Sequence, residues 1–173
     1  MERNEIMYDQ LTENDIQQMK EELDYRRITL RPKLLEEVKT ARAFGDLSEN
    51  FEYKAAKREK NQNESRIRYL EKMIETAHIV SDRSAEDEVG LFDKVTVWFD
   101  EDEEEDVFQI VTTVKGDALR NLITAASPLG KALMGHKAGE TVRVAVNERY
   151  SYPVTIRKIE KQRDDGSIKI RSY

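Results

Sequence analysis

The sequence predicts an α+β protein, with an N-terminal antiparallel α-helical coiled-coil hairpin over residues 1–80, a linker at 81–90 and an antiparallel β domain with one short helix over 91–173. Three observations predict it. Apolar residues recur at helical steps through the first half. The segment GDLSEN, residues 45–50, interrupts that pattern once. Beyond residue 90 the period changes to two, in runs rich in β-branched residues.

In the first helical segment, from Glu13 to about Ala43, the residues Ile16, Met19, Leu23, Leu30, Leu34, Val38 and Ala41 follow one another at steps of three, four or seven. They make one apolar face. Thr12 is placed to cap this helix, with Asp15 three residues later in the position a capping box gives to Glu or Gln. Pro32 lies inside the segment, and an interior proline removes a backbone donor and clashes with the carbonyl four residues back, so a kink or local break is expected there.

The second segment is more regular: Tyr53, Ala56, Lys60, Asn63, Ile67, Leu70, Ile74 and Ala77 alternate at three and four, the pattern of a coiled-coil seam. Lys60 and Asn63 put polar groups in that seam, a device that fixes register at some cost in stability. Helices of this length joined by a short link fold back on each other, each arm reaching roughly 45 Å at 1.5 Å per residue. Gly45 suits the end of the first arm, where a positive φ is needed. The link then sits at the far end of the hairpin.

The β domain reads as the strands KVTVWF, VFQIVTTV, TVRVAV, YPVTIRKI and SIKIRS, with SPLGKALMG as a short helix closed by Gly135. Between the first two strands lies DEDEEED, residues 100–106, expected to be a solvated hairpin loop. It lacks the glycine turn and spaced ligands of an EF-hand.

Composition narrows the chemistry. There is no Cys, and the two histidines, His78 and His136, are far apart in sequence, so thiolate metal sites and a histidine-based triad or zinc centre are not expected. The N-terminus, MERNEIMYDQL, has neither the basic nor the apolar region of a signal peptide, and no 18 apolar residues run together. A cytoplasmic protein without membrane partners is the expectation. The net charge of −6 hides an asymmetry, because residues 26–72 hold 13 Lys or Arg against 8 Asp or Glu.

Asp46 and Glu49, at the interruption, admit two readings. Asp46 can cap the second helix while Glu49, as its third residue, reaches back, both favoured by the positive end of the helix dipole. Alternatively, a carboxylate pair at the end of a long arm can be carried into a site elsewhere and supply oxygen ligands to a hard cation such as Mg²⁺.

The stretches ARAFGDLSENFEYKAAK, AHIV and ITAASPLGKALMGHKAGETVRV, taken in order, resemble the Gre family of bacterial transcript cleavage factors over nearly the whole chain. The resemblance implies a coiled coil followed by an FKBP-like domain that docks at the secondary channel of bacterial RNA polymerase. The coiled coil then reaches the active site, where backtracked nascent RNA is hydrolysed to a new 3′ end. It implies that Asp46 and Glu49 hold Mg²⁺ jointly with the polymerase, with no metal expected in the free protein, and that the chain is an accessory factor and not itself a nuclease. Asn50, Lys54, Lys57, Arg58 and Lys60 are the implied RNA or polymerase contacts, with Ser48, Glu52 and Tyr53 beside them. Ser127, Pro128, Leu129, Gly130 and Leu133 match the docking-domain motif. Phe51 departs from the small residue usual at its position. Rival readings are a paralogue that inhibits polymerase through the same channel, a stand-alone peptidyl-prolyl isomerase and a coiled-coil interaction protein.

Overall fold

A computed structural model describes residues 9–45 and 49–172. Residues 16–77 make one unit; those up to 15, with 78 onward, make the other. The division differs from the expected one at its start and at the linker. The strand β1 (Gln10–Leu11) pairs in parallel with a strand that follows the hairpin, and Val89, inside the expected linker, is fully buried in the sheet unit's core.

Helix α1 (Glu13–Tyr25) begins with the capping box expected from the sequence. Thr12 Oγ1 accepts from the Asp15 amide at 3.1 Å, and Asp15 Oδ2 accepts from the Thr12 amide at 3.0 Å. The break expected at Pro32 takes the form of a π turn over Arg26–Leu30, after which α2 (Arg31–Arg42) continues with Pro32 in its first turn, so the missing N–H falls where the helix changes its hydrogen-bond register. This extra residue has a packing consequence. A strict three-four alternation from Ile16, Met19 and Leu23 would bring residues 33 and 40 to the seam, but the buried residues are Leu34 and Ala41, one later. The π turn absorbs that one-residue shift and keeps a single apolar face along both helices.

Helix α3 (Phe51–Thr76) returns antiparallel to α2, burying Asn63, Ile67 and Leu70 in the predicted seam, with Arg66 and Met73 beside them. Asn63 is not left without partners: Arg26 Nη1 donates to its Oδ1 at 3.0 Å. Next to it Glu22 accepts from Arg26 Nε at 2.7 Å and, in a two-pronged contact, from Arg66 at 2.9 and 3.0 Å. Arg31 grips Glu64 in the same way at 2.7 and 2.8 Å, and Arg27 pairs with Glu71. Burial pushes the Glu22 carboxyl up, but Arg66 and Arg26 outweigh it and hold the group below the ordinary glutamate range.

In the sheet unit, β2 (His78–Ile79) pairs with β1. The strands β3 (Lys94–Phe99), β4 (Glu104–Val111) and β5 (Leu122–Thr124) precede the helix α4 (Pro128–Leu133). The strands β6 (Thr141–Ala145) and β7 (Ser151–Glu160) complete a sheet of order β5-β4-β3-β7-β6. All neighbours are antiparallel except β4 and β5. Val95, Val97, Ile110, Val144, Val154 and Ile156 alternate inward along their strands and bury Leu133 of α4.

Two expectations are corrected here. Only Asp100–Glu103 of the acidic run forms the turn, for Phe99 pairs with Glu104 and the last three acidic residues open β4. They are tolerated there because all three are exposed and two are matched: Glu105 accepts from Arg157 at 2.9 Å, and Asp106 from Asn121 at 3.0 Å. SIKIRS forms no strand; it packs Ile168 into the core and is tied by the Arg171 amide to the Val114 carbonyl at 2.8 Å.

Nothing in the periodicity points to Lys115, whose ammonium is fully buried 2.8 Å from Asp164 and 2.9 Å from Asp15 Oδ1. The Asp15 contact lacks good hydrogen-bond alignment, so its attraction is chiefly ionic. Thr12 Oγ1 donates to Asp164 at 2.8 Å, which joins the capping box to the same buried cluster.

Lys115→Met is expected to destabilise the protein by about 3 kcal/mol or more, since it strands two buried carboxylates; a urea titration followed by circular dichroism measures it. Glu22 has a folded pKa below its unfolded one, so its contribution is complete above the unfolded value and is lost as pH falls through the folded one. Helix stability should therefore fall on acidification below about pH 4.5, and Glu22→Gln should flatten that part of the melting-temperature profile.

Candidate functional site

The end of the hairpin is built by the two helix ends facing each other. After Arg42 the chain turns, with the Ala43 amide on the Thr40 carbonyl at 3.1 Å and the Phe44 amide on the Ala41 carbonyl at 3.2 Å. Gly45 then takes φ +127°, as the sequence led us to expect of a glycine there; a side chain would meet no neighbour, so the demand is purely on the backbone. Asp46, Leu47 and Ser48 lie outside the described residues. Glu49 is exposed, and α3 starts two residues after it.

The cap of α3 is Asn50, which corrects the reading of Asp46 as the cap and Glu49 as the third helical residue. Asn50 Oδ1 accepts from the Tyr53 amide at 2.9 Å, while its Nδ2 donates to the Ala41 carbonyl at 2.7 Å. The physical reason is the amide's double character. Asn and Asp accept equally well at a cap, but only Asn can also donate to a carbonyl in the last turn of the facing helix, where intrahelical donors run out. Glu49 is thereby outside the helix and without a capping duty, next to a helix N-terminus that favours negative charge.

The cations predicted beside the tip follow along α3. Lys54, Lys57 and Arg58 are exposed and Lys60 is half-buried; none forms an ion pair with a described residue. Aromatic rings hold some of them instead. The Lys54 ammonium lies 5.7 Å from the centre of Phe51, and Lys57 lies 5.9 Å from that of Tyr53. Phe51, the residue that departs from the family pattern, is 81% exposed, so it fills no cavity in the hairpin. Tyr53 is half-buried at its seam position, with the Arg42 guanidinium 5.7 Å from its ring centre. Arg42 is the main cause of a phenol pKa below the ordinary tyrosine value, with Lys57 and Lys60 acting in the same direction. Lys60 also adds to the pull of Arg31 that lowers the Glu64 carboxyl.

In the sheet unit the predicted motif residues build the start of α4. Ser127 Oγ accepts from the Gly130 amide at 3.0 Å and donates to the Thr124 carbonyl at 2.7 Å, with Pro128 in the first turn. Gly130 is required by space, because a Cβ there would sit 2.1 Å from the Thr124 carbonyl oxygen. Leu133 is buried, and Leu129 partly so. His136 pairs with Glu140 at 2.6 Å on the surface, and no group of three or more potential metal ligands occurs among the described residues. No helix is long and apolar enough to cross a membrane, again among the described residues.

Comparison with known proteins covers both units. Residues 9–79 match the family described as transcription elongation factor, N-terminal, and residues 83–161 match transcription elongation factor, GreA/GreB, C-term. The chain is 40% identical over 152 residues to transcription elongation factor GreA of Streptococcus pneumoniae serotype 19F (strain G54), spanning 87% of this chain and 94% of that protein. The corresponding protein of Caldanaerobacter subterraneus subsp. tengcongensis is 43% identical over 138 residues, 79% of this chain and 87% of that one. The crystal structure of GreA factor homolog 1 from Thermus thermophilus aligns at 24% identity, covering 88% of this chain and 99% of that one, with a TM-score of 0.41.

Arg42→Gln should raise the Tyr53 phenol pKa toward the ordinary tyrosine value, because it removes the principal positive neighbour. Titration followed by tyrosine absorbance, with Tyr53→Phe to assign the signal, checks it; an unmoved Tyr53 titration would show that Arg42 does not act on the phenol.

Proposed function

Because the chain belongs to the GreA/GreB family of transcription elongation factors, we propose that it enters the secondary channel of RNA polymerase and stimulates hydrolysis of backtracked RNA. The observation that carries this reading is Glu49, an exposed carboxylate at the end of the hairpin that the cap leaves free.

The 26 residues of α3 give that end a reach of about 39 Å at 1.5 Å per residue, enough to work at a distance from wherever the sheet unit docks. Asp46 and Glu49 offer only carboxylate oxygens, the donor type Mg²⁺ takes, and an exposed carboxylate can still complete a shell begun by another protein. Mg²⁺ held there would lower the pKa of a bound water and offset charge on the phosphodiester. The chain's own part is to bring the carboxylates, orient the water and steady the RNA.

Lys54, Lys57 and Arg58 suit the last task, since cations without carboxylate partners among the described residues are free to meet phosphates. Such contacts hold the backbone without reading sequence, and they explain how a chain of net charge −6 can approach RNA. Lys60, deeper in the seam and acting on Glu64, serves the hairpin as well as any RNA. Ser127, Pro128, Leu129, Gly130 and Leu133 maintain the surface around α4 by which the sheet unit docks.

Adding the protein and Mg²⁺ to stalled, backtracked elongation complexes should release short 3′ RNA fragments far faster than polymerase does alone. Asp46→Asn and Glu49→Gln should each lower that rate on the order of a hundredfold while leaving polymerase binding intact. Binding that slows elongation without any cleavage would favour the inhibitory reading instead.

A further inference from the structure

Two phenylalanines of the hairpin are exposed near its end, and their surroundings carry opposite charge. Phe44 is 71% exposed and lines a cleft with Glu36, Glu37 and Glu52, where the neighbouring Lys33 is already paired with Glu37 at 3.8 Å. Phe51 is 81% exposed, and the exposed Lys54 and Arg58 follow it at three and seven residues, which puts all three on one face of α3. The Lys54 ammonium lies over the Phe51 ring, and neither cation forms an ion pair with a described residue.

The hairpin itself gains nothing from this ring. Phe51 is the first residue of α3, where it neither caps the helix, a task Asn50 performs, nor buries its apolar area. Alanine would suit an exposed helical position better, having the higher helix propensity. A ring held in water with an ammonium over one face leaves its other face for a planar partner.

The chemistry narrows that partner. A purely apolar surface would match the ring but would bury Lys54 and Arg58 without anions, at a cost in desolvation. A strand of RNA matches both parts of the stripe, since its bases present flat π faces and its phosphates accept from lysine and arginine. We propose that Phe51 is a stacking platform for one unpaired nucleobase of the backtracked RNA, with Lys54 and Arg58 on the adjoining phosphates. The proposal rests on the cleavage reading above and adds to it a contact to a base, where that reading has contacts to phosphate and metal only. The acidic cleft around Phe44 repels the same strand and takes no part.

The test pairs a change in the protein with a change in the RNA, using the full chain and backtracked elongation complexes whose unpaired 3′ nucleotides are intact or abasic. With intact RNA, Phe51→Ala and Phe51→Leu should each raise the protein concentration for half-maximal cleavage roughly tenfold, within the range one stacked base contributes. Phe51→Trp should match the wild type. Abasic RNA should cost the wild type the same loss and cost Phe51→Ala nothing further, the non-additivity of two groups in contact. Phe44→Ala should respond to abasic RNA as the wild type does. A Phe51→Leu protein as active as the wild type overturns stacking in favour of an apolar contact with polymerase. Equal losses from abasic RNA in the wild type and in Phe51→Ala overturn the base contact altogether. A second readout needs no cleavage: an adenine oligoribonucleotide should quench the added indole of Phe51→Trp, beyond any change in the wild type, whose single tryptophan is Trp98. If the wild type binds polymerase without accelerating cleavage, the cleavage reading falls, and the quench alone decides the stacking site: its presence sustains the site and its absence overturns it.

Discussion

The register of the helical hairpin hangs on a buried polar layer, Asn63 with Arg26 and Glu22 with Arg66. An apolar seam is forgiving, because Ile67 and Leu70 could pack against several settings of the opposite helix at similar cost. Asn63 and Arg66 are only 3% and 4% exposed, and in any other register each would be buried without its partner. An unmatched buried amide costs on the order of 1–3 kcal/mol and an unmatched charge more, so the layer selects one setting by penalising the others. Once that setting is chosen, Ala41 and Asn50 must meet at the end of the hairpin.

The π turn belongs to the same constraint. Without its extra residue Leu34 and Ala41 would rotate away from α3, and the seam would fail between the polar layer and the tip. Pro32 makes the turn tolerable at that place, since the chain there already lacks one backbone donor. A local irregularity thus preserves a long-range alignment. The sheet unit uses a comparable device in Lys115, which binds Asp15 and Asp164 where apolar packing alone would leave the segments less uniquely placed.

At the tip, structural and chemical duties fall on different residues. A capping carboxylate would spend its charge on backbone amides; with Asn50 as the cap, Glu49 has no such duty. Cations held over Phe51 and Tyr53 remain close by without neutralising a described carboxylate. Under the proposed function, such opposite charges in adjacent places, neither quenched by the other, would serve a metal and a phosphate chain respectively.

By itself the sequence determined whatever depends on local periodicity and backbone stereochemistry: the two helical arms, the seam from Tyr53 to Ala77, the Thr12–Asp15 capping box, the positive φ of Gly45 and the short helix after Ser127. These features repeat at fixed spacing or need particular residues, so they are legible without a fold. Tertiary structure decided the rest. Asn50 became the cap in company with Ala41, nine residues away, whose carbonyl its amide also reaches; Lys115 became a core residue because Asp15 and Asp164 converge on it; and Glu104–Asp106 became strand because β3 and Arg157 lay alongside. Each outcome depends on a partner distant in sequence, and pairwise electrostatics and hydrogen bonding carry no period by which a one-dimensional reading could find that partner.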